Sequence, residues 1–146
     1  MQLNTAQFKV NMEDAITKAY SLTQKYAISP KVIEGQQIRI DSNSPDGFSF
    51  WLISYKSEYV LFFGNWHQPF DNQDEALSAF EKCLSGEAHV RDVTCLSIPC
   101  WGSLEILTPN TQSPQIRYGM GSIFGLILFL FPKKEKIYRN SFEQTS

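Results

Sequence analysis

From Phe48 to Phe63 the chain lays large apolar residues on both sides of two consecutive strands, and few folds can use such a pair. Phe48, Phe50 and Leu52 alternate with Trp51, Ile53 and Tyr55. Beyond a tight turn at Lys56-Ser57, Tyr59, Leu61 and Phe63 alternate with Val60 and Phe62. Strands at a half-wet sheet surface carry one apolar face, whereas these carry two. The hairpin is therefore expected at the centre of a sheet. Helices would cover one side, and the chain's own tail or another subunit the other.

Two segments have the 3.6-residue spacing of covering helices. Asn11 is placed to cap a helix of about 12–26, with Val10 stapling to Ala15 and Ser29-Pro30 closing it. Its buried side would comprise Met12, Ala15, Ile16, Ala19, Tyr20, Leu22 and Tyr26. The second helix, at about 72–85, begins at a capping box of Asn72 and Glu75 and ends at Gly86, where a left-handed residue suits glycine. Asp71, Asp74 and Glu75 set negative charge at its positive end, and Ala76, Leu77, Phe80, Cys83 and Leu84 form its stripe.

The remaining segments read as strands. Ile38 and Ile40 alternate with Gln37, Arg39 and Asp41 over about 36–41, which gives one wet face. His89 to Ile98 and Trp101 to Thr108 make a second pair around Pro99-Cys100, followed by a polar loop to Pro114 and a short strand at Gln115 to Tyr118. Ile123 to Phe131 is too short to span a bilayer as a helix, which takes about 20 residues. Its β-propensity and Pro132 suit a buried strand that covers the open sheet face, so membrane contact is not expected even with Lys133, Lys134 and Lys136 beside it. Ile137 to Asn140 adds a last short strand, and 141–146 reads as a loose tail.

These elements specify a single α+β domain over 1–146, with its core at about 10–140. Two helices pack on one face of a largely antiparallel sheet of about six strands, in the order α-β-β-β-α-β-β-β. A net charge of −2 provides no general attraction for nucleic acid. The odd cysteine count and an amino terminus with no basic-then-apolar leader predict reduced thiols and a cytoplasmic location.

Candidate chemistry is sparse. His67 precedes a helix start beside Trp66, where an imidazole has a pKa suited to general base work, but no second catalytic group accompanies it. Hydrogen bonding that fixes the turn over Trp66 and Phe70 is the plainer role for it. Cys95 and Cys100, with Cys83, His67 and His89, match no zinc-ligand spacing. There is no Gly-x-Ser-x-Gly elbow, and Gly119, Gly121 and Gly125 lack a phosphate-binding lysine, so close packing or a bend is their expected role. Arg91 and Glu105 are placed on adjacent strands as a cross-strand ion pair, while Lys133, Lys134, Lys136 and Arg139 read as a solvated basic cluster.

Trp66-His67-x-x-Phe70, the Glu75-Ala76 helix with Phe80 and Leu84, Arg91, Trp101 with Glu105, and Arg139-Asn140 together resemble a group of small bacterial proteins without an assigned activity. In that group a Trp-His-x-x-Phe turn leads into a helix, an Arg-bearing strand and a Trp/Glu strand; here one more residue separates Trp101 from Glu105. The resemblance covers about 60–140 and implies architecture, not chemistry.

The function expected is that of a non-catalytic cytoplasmic binding protein that docks a protein partner, an immunity-like, toxin-neutralising role being one version. Aromatic residues at 14 % supply the side chains from which interface anchors are made. The binding candidates are Trp66, His67, Phe70, Arg91, Trp101 and Glu105; no cofactor or metal is expected, and a homodimer is compatible. The alternative is a small hydrolase or small-molecule binder with a pocket near His67, Trp66 and Trp101.

Overall fold

The computed structural model describes residues 13–108, 111–128 and 130–145. The chain runs α1 (Asp14–Thr23), β1 (Lys31–Ile33), β2 (Gln37–Ile40), β3 (Phe50–Tyr55), β4 (Glu58–Phe63), β5 (Trp66–Phe70), α2 (Gln73–Ser85), β6 (Ala88–Cys95), β7 (Ile98–Thr108), β8 (Thr111–Gly121), α3 (Ile123–Ile127) and β9 (Lys133–Arg139). The fold is α+β and antiparallel. The strands form two sheets, β1-β2-β3-β4-β5 and β8-β7-β6-β9, where a single sheet of about six was expected. Two unforeseen strands account for much of the difference. β1 pairs with β2, and the Trp66–Phe70 segment, expected as a turn, pairs with Tyr59–Phe63 of β4.

The apolar hairpin occupies the middle of the first sheet, closed by Lys56 and Ser57 at φ 48° and 66°. Two successive positive φ values match the twist of the flanking strands. Phe50, Leu52, Leu61 and Phe63 face the helices and are fully buried. The other face is half-buried, and among the described residues of 123–131 no strand covers it. It carries instead a cross-strand row of Arg39, Trp51, Phe62 and His67. Trp51 and Phe62 stack with centroids 4.9 Å apart, and Arg39 lies 5.1 Å from the Trp51 ring. The aromatic faces are thus turned to each other.

Both main helices cover the inner side. In α2 the Asn72 side chain accepts from the Glu75 N–H at 2.8 Å, Gly86 takes φ 79°, and Ala76, Ala79, Phe80, Cys83 and Leu84 are buried. Phe80 meets Phe50 edge-on at 5.3 Å. Helix α1 is shorter than expected, and its N-cap is Glu13, without a side-chain cap bond. The proposed cap Asn11, the staple at Val10 and Met12 lie outside the described residues. Ala15, Ile16 and Ala19 are buried, but Tyr20 points outward. Tyr26 is buried beyond the helix end, where its backbone bridges Gln144.

Three further expectations are corrected. The β6–β7 turn is Leu96-Ser97, at φ 52° and 65°, so Pro99 and Cys100 lie inside β7 beside a bulge. The segment after Asn140 is tied down, with Ala27 donating to the Glu143 carbonyl at 3.1 Å and Thr145 to that of Lys25 at 2.8 Å. Ile123 to Phe131 contains a short helix and no strand, Phe129 lying outside the described residues.

Candidate functional site

Alternation along the second sheet sends Val90, Leu104 and Ile106 inward and their neighbours outward. Pairing of Arg117 with Glu105, Glu105 with His89 and His89 with Arg139 sets these four in one row across β8, β7, β6 and β9. The next row holds Ser103, Arg91 and Ile137, and the one beyond it Trp101, Val93 and Glu135. The outer face of this sheet is thus polar at one end and apolar at the other.

Glu105 is the centre of the polar end and is 0 % exposed although it stands on the outer face. Its Oε2 lies 2.8 Å from His89 Nε2, and its Oε1 3.0 Å from Arg117 Nε and 3.2 Å from Arg91 Nε, with the Ser103 hydroxyl donating at 3.4 Å. Arg139 reaches His89 Nδ1 at 3.4 Å. A guanidinium only donates, so Nδ1 accepts and the ring proton belongs on Nε2, facing the carboxylate. Arg91 pairs with Ser103 in the ladder, which makes its contact with Glu105 diagonal. Its Nε also faces Glu135 at 3.6 Å, yet is aligned with neither carboxylate and has no hydrogen-bond partner, so this is charge contact alone.

A buried carboxylate costs several kcal/mol to desolvate and persists where partners compensate it. Both oxygens of Glu105 are occupied by such partners. A general base needs a lone pair turned toward a substrate proton. The arrangement suits an ion cluster that holds four strands in register.

At the apolar end, a cleft of about 690 Å³ is lined by Val93, Cys95, Cys100, Trp101, Ile123 and Leu126, among others. Trp101 lies across Gly119 and Gly121 of β8, and α3 forms one wall. The Ser122 N–H donates to the Cys100 carbonyl at 2.9 Å and its hydroxyl to that of Pro99 at 2.8 Å. Gly125 then rests on the same Cys100 carbonyl, where a Cβ would come within 2.8 Å. A side chain there would lift the helix off the sheet.

With Gly125 inward, Ile123, Phe124, Leu126 and Ile127 span an outward arc of about 160° at helical spacing. Ile123 is 69 % exposed, Leu126 78 % and the following Leu130 81 %. Leu96 and Ile98 at the β6–β7 turn are exposed at the same end of the sheet.

Of the six expected binding residues, Arg91, Trp101 and Glu105 share this outer face. Trp66 is buried between the sheets against Gly102, where a Cβ would clash with the indole at 2.1 Å, and its Nε1 donates to Asp92 at 3.4 Å. Phe70 is buried edge-on to Tyr118 at 5.1 Å. These two join the sheets. His67 stands exposed on the first sheet, 5.4 Å from Phe62, and lines neither the apolar cleft nor a smaller one of about 390 Å³ at Trp66 and Asp92. His89, Ser103 and Arg117 are not among the six expected binding residues, and Arg139, expected as a solvated cation, reaches His89 instead. Their period-2 spacing was a signal, usable once the strand register is known.

Burial pushes the Cys83 thiol far up, and a hydrogen bond to Cys100 raises that of Cys95, so neither is poised as a thiolate nucleophile. Among the described residues no three or more His, Cys, Asp or Glu side chains are grouped to hold a metal. Comparison of the chain with protein-family models, with curated proteins and with solved structures finds no match.

Proposed function

We propose that the chain is a non-catalytic binding protein whose docking surface is the apolar end of the four-stranded sheet, formed by α3, Trp101 and the Leu96-Ile98 turn. One observation carries the reading: α3 is packed inside out, glycine against the sheet and four large apolar side chains outward. Scattered exposed leucines are ordinary, whereas a contiguous cluster of this kind marks a contact surface. The ion cluster beside it supports a holding role, because its carboxylate is consumed by neighbouring side chains. A pocket uniting His67, Trp66 and Trp101 has no comparable support, as the three stand in different places.

The test compares the tagged full chain with a Leu126→Ser, Leu130→Ser variant in fractionated lysate. Both positions are solvent-exposed, so unchanged circular dichroism is expected. A component retained by the native chain and lost with the variant supports the reading; identical retention on both would refute it.

A further inference from the structure

We infer that the occupant of this surface is an anionic lipid surface, met peripherally by α3. The inference rests on the docking reading above and names its partner. Three observations carry it.

The first is shape. Leu126 and Leu130, at 78 % and 81 % exposure, project from a short segment instead of lining a flat patch. A stable protein interface spreads about 800 Å² per partner over some 20–30 residues with a close-packed centre. A projection whose apolar side chains spread over a wide arc is wetted more completely by acyl chains, which conform to any contour.

Charge is the second. Residues 116–146 hold five Lys and Arg against two carboxylates, while 1–115 hold eight against thirteen. Arg117 and Arg139 of these five belong to the Glu105 cluster, which leaves Lys133, Lys134 and Lys136 against Glu135 on β9, the strand that follows α3. Lys133 and Lys134 open β9 directly after Phe131-Pro132, both are exposed, and Lys133 lines the cleft beside α3 together with Glu135, which Arg91 faces at 3.6 Å. Apolar side chains at headgroup depth with lysines beside them are the chemistry of interfacial binding, each surface lysine contributing about 1 kcal/mol on anionic lipid.

The third is length. Among the described residues no helix is long and apolar enough to cross a membrane, and α3 has five residues. Contact would be shallow. Phe124, Phe131 and Trp101, all half-exposed at this end, are residue types that favour the headgroup boundary.

The experiment is co-sedimentation of the full chain with phosphatidylcholine vesicles with and without phosphatidylserine. Binding is expected to the phosphatidylserine vesicles and to weaken as salt is raised. Lys133→Gln with Lys134→Gln should weaken it about 30-fold. Leu126→Ser with Leu130→Ser should weaken it at least about 10-fold. Binding equal on the two vesicle types, or unaffected by the leucine changes, overturns the proposal. So does a stoichiometric soluble protein captured through the two leucines when no vesicle is bound; that result leaves the docking reading standing. If neither vesicles nor any lysate component depend on the leucines, both readings fall.

Discussion

Helices α2 and α3 both lie against sheets, and they do so in opposite senses. The first buries Ala76, Ala79, Phe80, Cys83 and Leu84 and turns Glu81 and Lys82 outward. The second buries no side chain fully, approaches β7 through Gly125, and shows water its isoleucines and leucine. An amphipathic helix gains its stability mainly from the face that it hides. By that measure α2 belongs to the folding of the domain, while α3 is held by two bonds from Ser122 and one close backbone approach. The same kinds of side chain serve stability in one helix and are available for contact in the other.

The contrast is open to measurement. Phe80→Ala should cost the most, about 3–5 kcal/mol by urea unfolding, since it empties the centre of the α2 contact with Phe50. A loss under 1 kcal/mol would mean that α2 is not packed as described. Glu105→Leu asks whether the polar half of the outer face is structural. It leaves His89, Arg91 and Arg117 without their common partner and should cost about 3 kcal/mol in thermal or chemical unfolding.

Asn72→Ala removes the cap of α2, and about 1 kcal/mol is expected from the same unfolding curves. Leu126→Ser on α3 should move stability by no more than about 0.5 kcal/mol. A loss of 2 kcal/mol there would show that α3 is buried after all and would end the contrast. The smallest effect concerns Asp14, which pairs with Lys18 within α1 and accepts from Gln73 of α2. The hydrogen bond from Lys18 and then that from Gln73 hold its carboxyl below the ordinary value. A lowered carboxyl adds stability above its unfolded pKa and loses it as pH falls through the folded one. Asp14→Asn should therefore slightly flatten the acid limb of the stability profile and leave neutral-pH unfolding almost unchanged, as surface pairs contribute little.

What was legible in the chain is what local chemistry decides. Asn72 and Gly86 bounded α2 because caps answer to backbone groups within a few residues. Lys56-Ser57 marked the central turn because two apolar runs pointed at it. Ile123 to Phe131 misled for a physical reason: a short apolar run has no periodicity to separate strand from helix, and an inside-out helix reverses the usual cue of a hidden stripe. The ion cluster was hidden by register. With the turn set at Pro99-Cys100, Arg91 is not brought opposite Ser103, and the row through His89 and Glu105 cannot be drawn. Moving the turn to Leu96-Ser97 and allowing one bulge brings the row into alignment. Trp66–Phe70, expected as a turn, is the edge strand β5, where the N–H that Pro69 lacks is not missed.

Asn140 both accepts from the Phe48 N–H at 2.9 Å and donates to the Phe48 carbonyl at 3.0 Å, across a sequence separation of 92 residues. The backbone N–H and carbonyl of Phe48, just before β3, thus find their partner only when the far end of the described chain is in place. Contacts of such reach slow folding and prolong the time for which apolar strands stand uncovered. The Asn140 latch is therefore among the last contacts of the first sheet to form, and the strands beside it stay open to other partners until it closes.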